Sequence, residues 1–379
     1  MNSVVMRPRT IRQSQFILTI LAVFYLSVTT AVAVTRENKP QRNEYTIHDS
    51  GSTKHYQNKN REKELDDSLL VAYVRCNEDD NDAPSSSCQA VLSTHATDEP
   101  EVKYICSSIE QAYSTLLQKT DSKIIRKMIR LLPNSYCTDT DIGQEFFSDV
   151  GDRGSDIGTS IVGMGGNITL DCQNSSQRGI LMSSGGIDHV SGFTIQNCGS
   201  DQKNEEIGGA IKIISQSHPM IVENMTFVQN QQFHGGAIGI IESETPILIK
   251  NCVFQQNVAL NYGGAVYASS IHSSSKTEIY GCQFENNKAN LGGAISINDK
   301  EEVFISSSSF KNNVAKWKGG AIHALQSCKI TVERSKFHSN QITAKDIQDS
   351  DCGIAGGAIF AQNSFVSCFK TNFDKNRGA

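Results

Sequence analysis

Eleven cysteines, three Asn-x-Ser/Thr sequons, an acidic run and two isolated histidines are the residues of this 379-residue chain that invite a chemical reading. Cysteines in an exported chain form disulfides, and an odd count leaves at least one thiol over. Cys252 and Cys282 hold one place in successive copies of a repeat, so their Cα atoms fall near the roughly 4.4–6.8 Å window of a disulfide. They are either bonded or stacked as small apolar thiols. Cys172 with Cys198 raises the same question. Cys76 with Cys88 and Cys106 with Cys137 are candidate pairs, although sequence does not fix the connectivity. No Cys-x-x-Cys recurs to suggest zinc. The sequons begin at Asn167, Asn174 and Asn224, and in a eukaryotic host they are glycan sites. The acidic run Asn77-Glu78-Asp79-Asp80-Asn81-Asp82 lacks the spaced ligands and glycine of a calcium loop.

Hydrolysis or elimination on an acidic polysaccharide needs carboxylates converging on one outer face, with a basic residue to take a proton. In a repeating chain these would occupy matching places, and they do not. The residue six before each Phe of the repeat reads Ile221, Leu248, Glu278, Phe304, Thr331, Ser367. His234 and His323 stand singly. The sequence therefore assigns no catalytic, cofactor-binding or metal-binding residue. The preferred role is a non-enzymatic scaffold or adhesin, and an enzyme acting on an acidic polysaccharide is the alternative.

The frame that must position these residues is a repeat. Gly-Gly-Ala followed by Ile or Val begins at Gly208, Gly235, Gly263, Gly292, Gly319 and Gly356, spaced 27, 28, 29, 27 and 37 residues apart. Between them runs Phe-x-x-Asn, at Phe227, Phe254, Phe284, Phe310, Phe337 and Phe373 with Asn230, Asn257, Asn287, Asn313, Asn340 and Asn376. A period of this length marks a solenoid, whose units bury their apolar faces only by stacking. Within each copy the apolar residues alternate, as Ile211 and Ile213 or Ile247 and Ile249 do, which is the period of a strand. We read three short strands and three turns per coil of about 27 residues, closing a triangular coil of a parallel β-helix. Neighbouring coils then pair at about 4.8 Å, with Phe stacked on Phe inside and Asn satisfying backbone at the next coil's bend. The longer interval after Asn340, with Asp346, Asp349 and Asp351, is a loop pushed out from one corner.

This phrasing resembles the repeat of the chlamydial polymorphic outer membrane proteins and the pectate-lyase-like right-handed parallel β-helix class around them. The resemblance covers about the last 170 residues. It implies an all-β right-handed parallel β-helix and, in that family, an adhesive passenger domain of an autotransporter at the outer membrane.

Along the chain, residues 1–33 are laid out as a secretory signal peptide: Arg7, Arg9 and Arg12, an apolar run, and Ala31-Val32-Ala33 before the cleavage point. The 19 apolar-rich residues from Phe16 to Val34 also suit an uncleaved signal anchor. Residues 34–67 are a polar spacer too poor in aliphatics to order itself. Residues 68–150 form an N-terminal cap region. There Ile105, Ile109, Ala112 and Leu116 share one helical face, and Ile129 to Tyr136 alternates like a strand. The β-helix occupies 151–379. The formal charge of −5 argues against a nucleic-acid partner. The expected partner is an extracellular protein or surface glycan. Membrane contact is expected only through an uncleaved anchor or a missing C-terminal segment, because the sequence stops within a repeat and further coils or a covering partner are expected.

Overall fold

The computed structural model describes residues 69–76, 89–93, 101–118, 126–138, 146–147, 158–174, 178–183, 186–199, 206–216, 218–272, 275–344 and 356–378. They belong to one compact unit, Glu64–Ala379. The leader, the spacer, the acidic run at 77–82, Cys88 and the three aspartates of the corner loop lie outside the described residues.

The unit is a parallel β-solenoid. Its described strands fall into sheets of 12, 9, 8 and 5 strands, so each regular coil contributes to four faces. Face 1 holds the strand after Gly-Gly-Ala, such as Ile211–Ile214 and Ile238–Ile241. Face 2 holds Met220–Glu223 and Ile247–Lys250, and face 3 the Phe strands Thr226–Val228 and Val253–Gln255. Face 4, where the sequence pattern implies a turn, is a fourth short strand. Gln231–His234, Val258–Tyr262, Lys288–Leu291, Val314–Lys318 and Gln341–Ile342 pair in order. These segments carry register shifts and little alternation, so the period-2 pattern of a strand is blurred in them.

Register is set by the interior. Phe227, Phe254, Phe284, Phe310, Phe337 and Phe373 are direct partners on successive strands. Their ring centroids lie 4.9, 4.7, 4.7, 4.5 and 4.9 Å apart, with the three middle pairs within 2° of parallel. Burying such a side chain is worth about 1.5–3 kcal/mol, and a one-residue slip would turn the whole column outward.

Beside the rings runs the asparagine ladder. Asn257 Oδ1 accepts from both Asn230 N (3.1 Å) and Asn230 Nδ2 (3.0 Å), while Asn257 Nδ2 donates to Phe227 O at 3.0 Å. The same set recurs at Asn287, Asn313, Asn340 and Asn376. Each amide thereby satisfies backbone that a tight bend leaves bare inside a dry core. The Gly pair makes another bend possible. Gly235 sits at φ +61°, and a Cβ on Gly236 would come 2.4 Å from Gly264 O.

Before the regular coils, helix α1 (Ile109–Gln118) begins at Ser108, whose Oγ accepts from Gln111 N at 3.2 Å. It buries Ile109, Ala112, Tyr113 and Leu116 in the same apolar cluster as Val74, Ile129 and Leu131. Ile105, expected on the helical face, lies in strand Glu101–Cys106, which pairs with Leu69–Val74.

Candidate functional site

Alternation sends every second residue outward, and the outward residues do not repeat. On face 2 one row reads His189, Ile221, Leu248, Glu278, Phe304, Thr331, Ser367, and the next Ser191, Glu223, Lys250, Tyr280, Ser306, Glu333, Phe369. The acidic residues of this face each meet a base of their own: Glu223 meets His189 (3.3 Å) and Lys250 (3.9 Å), Glu278 meets Lys276, Glu333 meets Arg334 (3.3 Å), and Glu302, at the start of its strand, meets Lys329 (2.8 Å). On face 3 Glu285 meets Lys311 at 2.7 Å, and Asp374 meets His338 at 2.9 Å. Among the described residues no group of three or more His, Cys, Asp or Glu side chains is placed to hold a metal ion.

A groove runs across successive coils where face 3 bends into face 4. It encloses about 450 Å³ and is lined by Asn286, Asn312, Ser339 and Lys375 with Val314, Gln341 and Arg377. The first four occupy the left-handed region, at φ 57°, 54°, 54° and 53°. That bend aims their side chains away from the coil while the next residue, Asn287, Asn313, Asn340 or Asn376, points in. The lining is amide, hydroxyl and cation at one rung after another.

Between faces 1 and 4 lies a buried polar slab that the sequence did not disclose. The outward residues of face 1, Tyr267, Ser296 and His323, are only 8 %, 0 % and 2 % exposed. His234 stacks on Tyr262 (4.9 Å) and Tyr267 (5.0 Å), and Lys318 Nζ lies 4.7 Å over the Phe360 ring. His323, which looked solitary, has Ser296 Oγ at 3.1 Å from its Nδ1. Burial lowers both histidines to about 4, and Lys318 adds to the effect at His323. Both are neutral near pH 7, and His323 is closed to solvent.

Asp171 is a second group that sequence reasoning passed over. Tyr136 Oη (2.6 Å) and Gln196 Nε2 (2.7 Å) donate to its Oδ2, and Gln173 N (2.8 Å) and Asn197 Nδ2 (3.0 Å) to its Oδ1. Burial works against the carboxylate, but these donors outweigh it and hold its pKa below the ordinary value. The carboxylate is saturated and serves to tie coils together.

The sequon asparagines Asn167, Asn174 and Asn224 are all exposed. The cysteines divide into two sets. Cys172 is bonded to Cys198 with Cα atoms 4.7 Å apart. Cys76 is bonded to Cys137, at 4.9 Å, and not to Cys88 as chain order suggested; Cys106 is disulfide-bonded elsewhere, not to Cys137. Strand Leu69–Val74 runs toward the coil carrying Tyr136–Thr138, where Tyr136 N donates to Cys76 O, so the two cysteines meet across the bend. Cys252 and Cys282 are buried thiols in this structure, as is Cys328, while the Cys368 thiol is exposed.

The geometry defines a parallel β-helix with uniform internal ladders and a varied exterior. Residues 251–269, 281–298 and 307–325 match the family model of the Chlamydia polymorphic membrane protein repeat. Each matched segment runs from the bend before the Phe strand through faces 3 and 4 to the end of face 1. The face 2 strands between them, Lys276–Tyr280 and Glu302–Ser306, fall outside the matches. No curated protein and no solved structure matches the chain.

Proposed function

We propose that this chain is exported and works at a cell surface as a non-enzymatic binding module, its outer faces meeting an extracellular glycan. The observation that carries this reading is the contrast between an interior repeated rung by rung and an exterior that changes at every rung. The match to a membrane-protein repeat, the leader-like N-terminus and three exposed sequons support export. The groove of Asn286, Asn312, Ser339, Gln341, Lys375 and Arg377 suits an extended acidic oligosaccharide. Amides and hydroxyls meet sugar hydroxyls at successive rungs, and the two cations meet carboxylate or sulfate.

Binding of the full-length protein to an array of acidic and neutral glycans tests this. Retention of acidic chains is expected, weakened at least about tenfold by Lys375→Glu combined with Arg377→Glu. Lys329→Glu, on face 2, leaves binding unchanged. Binding indifferent to the groove charges sinks the groove, and cleavage of the bound glycan sinks the non-enzymatic role.

A further inference from the structure

The residue two before each Phe forms its own inward column at the bend between faces 2 and 3: Met225, Cys252, Cys282, Ser308, Ser335 and Thr371. In this column a side chain accepts from the backbone of the preceding coil. Ser335 Oγ takes Ser308 N at 3.1 Å, Ser308 Oγ takes Cys282 N at 3.2 Å, and Cys282 Sγ takes Cys252 N at 3.4 Å. The Cys282 sulfur therefore already lies against the residue bearing the other thiol. The next residues, Val253 and Gln283, are direct partners on neighbouring strands, so the two Cα atoms stand about 4.8 Å apart, inside the disulfide window. The same molecule bonds Cys172 to Cys198 across adjacent coils at a Cα separation of 4.7 Å.

We propose that Cys252 and Cys282 are a redox-closable staple between adjacent coils, joined by exchange with a small-molecule disulfide such as glutathione disulfide. One cysteine thiolate attacks a sulfur of the reagent and releases the first thiol, leaving a mixed disulfide. The other thiolate attacks the protein sulfur of that mixed disulfide and releases the second thiol. Two electrons pass from the protein sulfurs to the reagent, and the two protons end on the released thiols. Both cysteines are at most 1 % exposed, and burial raises the Cys252 thiol well above its ordinary value. Closure therefore belongs to folding, or to moments when the bend at Lys250 and Asn251 opens. Cys328 has no such neighbour, with Glu301 before it and Ser364 after it at the matching bend.

The test is to refold the full chain in a buffer of reduced and oxidised glutathione, alkylate under denaturing conditions and map the peptides. A linked Cys252–Cys282 peptide lighter by two hydrogens is expected, in addition to the Cys76–Cys137 and Cys172–Cys198 links. Ser308 and Ser335 show that serine is accepted in the column, so Cys252→Ser and Cys282→Ser should fold. Each should lose the linked peptide, and with it part of the rise in urea midpoint that oxidation gives the parent, the other disulfides keeping the rest. Recovery of Cys252 and Cys282 both alkylated after oxidative refolding, whatever else is linked, overturns the proposal.

Discussion

The coils up to Gly199 and the coils from Gly208 onward solve one problem in two ways. In the later coils each Phe and each Asn meets a copy of itself in the next rung, so one residue type satisfies both neighbours. In the early coils the Phe column is occupied by Cys137, Leu170 and Ile195, and Cys198 stands where the asparagine ladder would continue. Asn230 Oδ1 accepts from Cys198 N at 3.1 Å, and there the ladder stops. The disulfides Cys76–Cys137 and Cys172–Cys198 and the Asp171 carboxylate with its donors take over. A ladder depends on repetition, because each amide sends one Nδ2 hydrogen to the amide oxygen of the following coil, as Asn230 does to Asn257. Where the sequence stops repeating, cross-links replace it.

Core truncation probes this contrast most strongly. Phe284→Ala removes a fully buried ring from between two parallel neighbours and should cost about 3–5 kcal/mol in urea unfolding. Ile195→Ala, in the same column but with no stack, should cost about 2–3 kcal/mol. An Ile195 variant costlier than the Phe284 variant would break the contrast.

Removing the staple comes next. Cys172→Ser with Cys198→Ser should cost about 2–4 kcal/mol, mostly by freeing the unfolded chain. Hydrogen exchange should locate the loosening: amides between 159 and 199 exchange faster, and those from 211 onward keep their protection. Equal loosening throughout would mean that the two regions do not differ as described.

Acid sharpens the contrast most. His323 is lowered to about 4 in the fold against about 6.5 unfolded, so its neutral form favours folding. That contribution is complete above pH 6.5 and is lost as pH falls toward 4, on the order of 3 kcal/mol. Asp171, held below the ordinary carboxylate value, gives a contribution present above the unfolded pKa and lost only at lower pH. Acid should loosen the later coils before the early ones. Glu301, in the later coils, works oppositely, since burial raises its pKa and it favours the fold as pH falls. His323→Phe removes one of the two histidine terms and should make the stability profile shallower between pH 6.5 and 4, with His234 supplying the remaining slope; an unchanged profile would remove His323 as a source.

What could be read from sequence depended on repetition. Phe-x-x-Asn announced both ladders because six copies fixed their phase, and Gly-Gly-Ala announced the bend. Face 4 was hidden because Val258-Ala259-Leu260-Asn261-Tyr262 carries a register shift that blurs alternation. The slab was hidden for a different reason. Tyr267, Ser296 and His323 sit at outward positions, and only a strand folded over them makes them interior. The groove escaped notice because Asn286, Asn312, Ser339 and Lys375 share a backbone conformation, not a side-chain type. Asp171 has no counterpart in later coils, so no column marked it.

The amide ladder has a direction: every oxygen faces the coil before it, and each Nδ2 from Asn230 to Asn340 sends one hydrogen back and one forward. Any coil therefore presents the same interior to those above and below, and excising the stretch between one asparagine and the next leaves matching ends. A gene of this kind can gain or lose whole rungs by unequal recombination without redesigning its core, so the reach of the protein is free to drift while its architecture stays put.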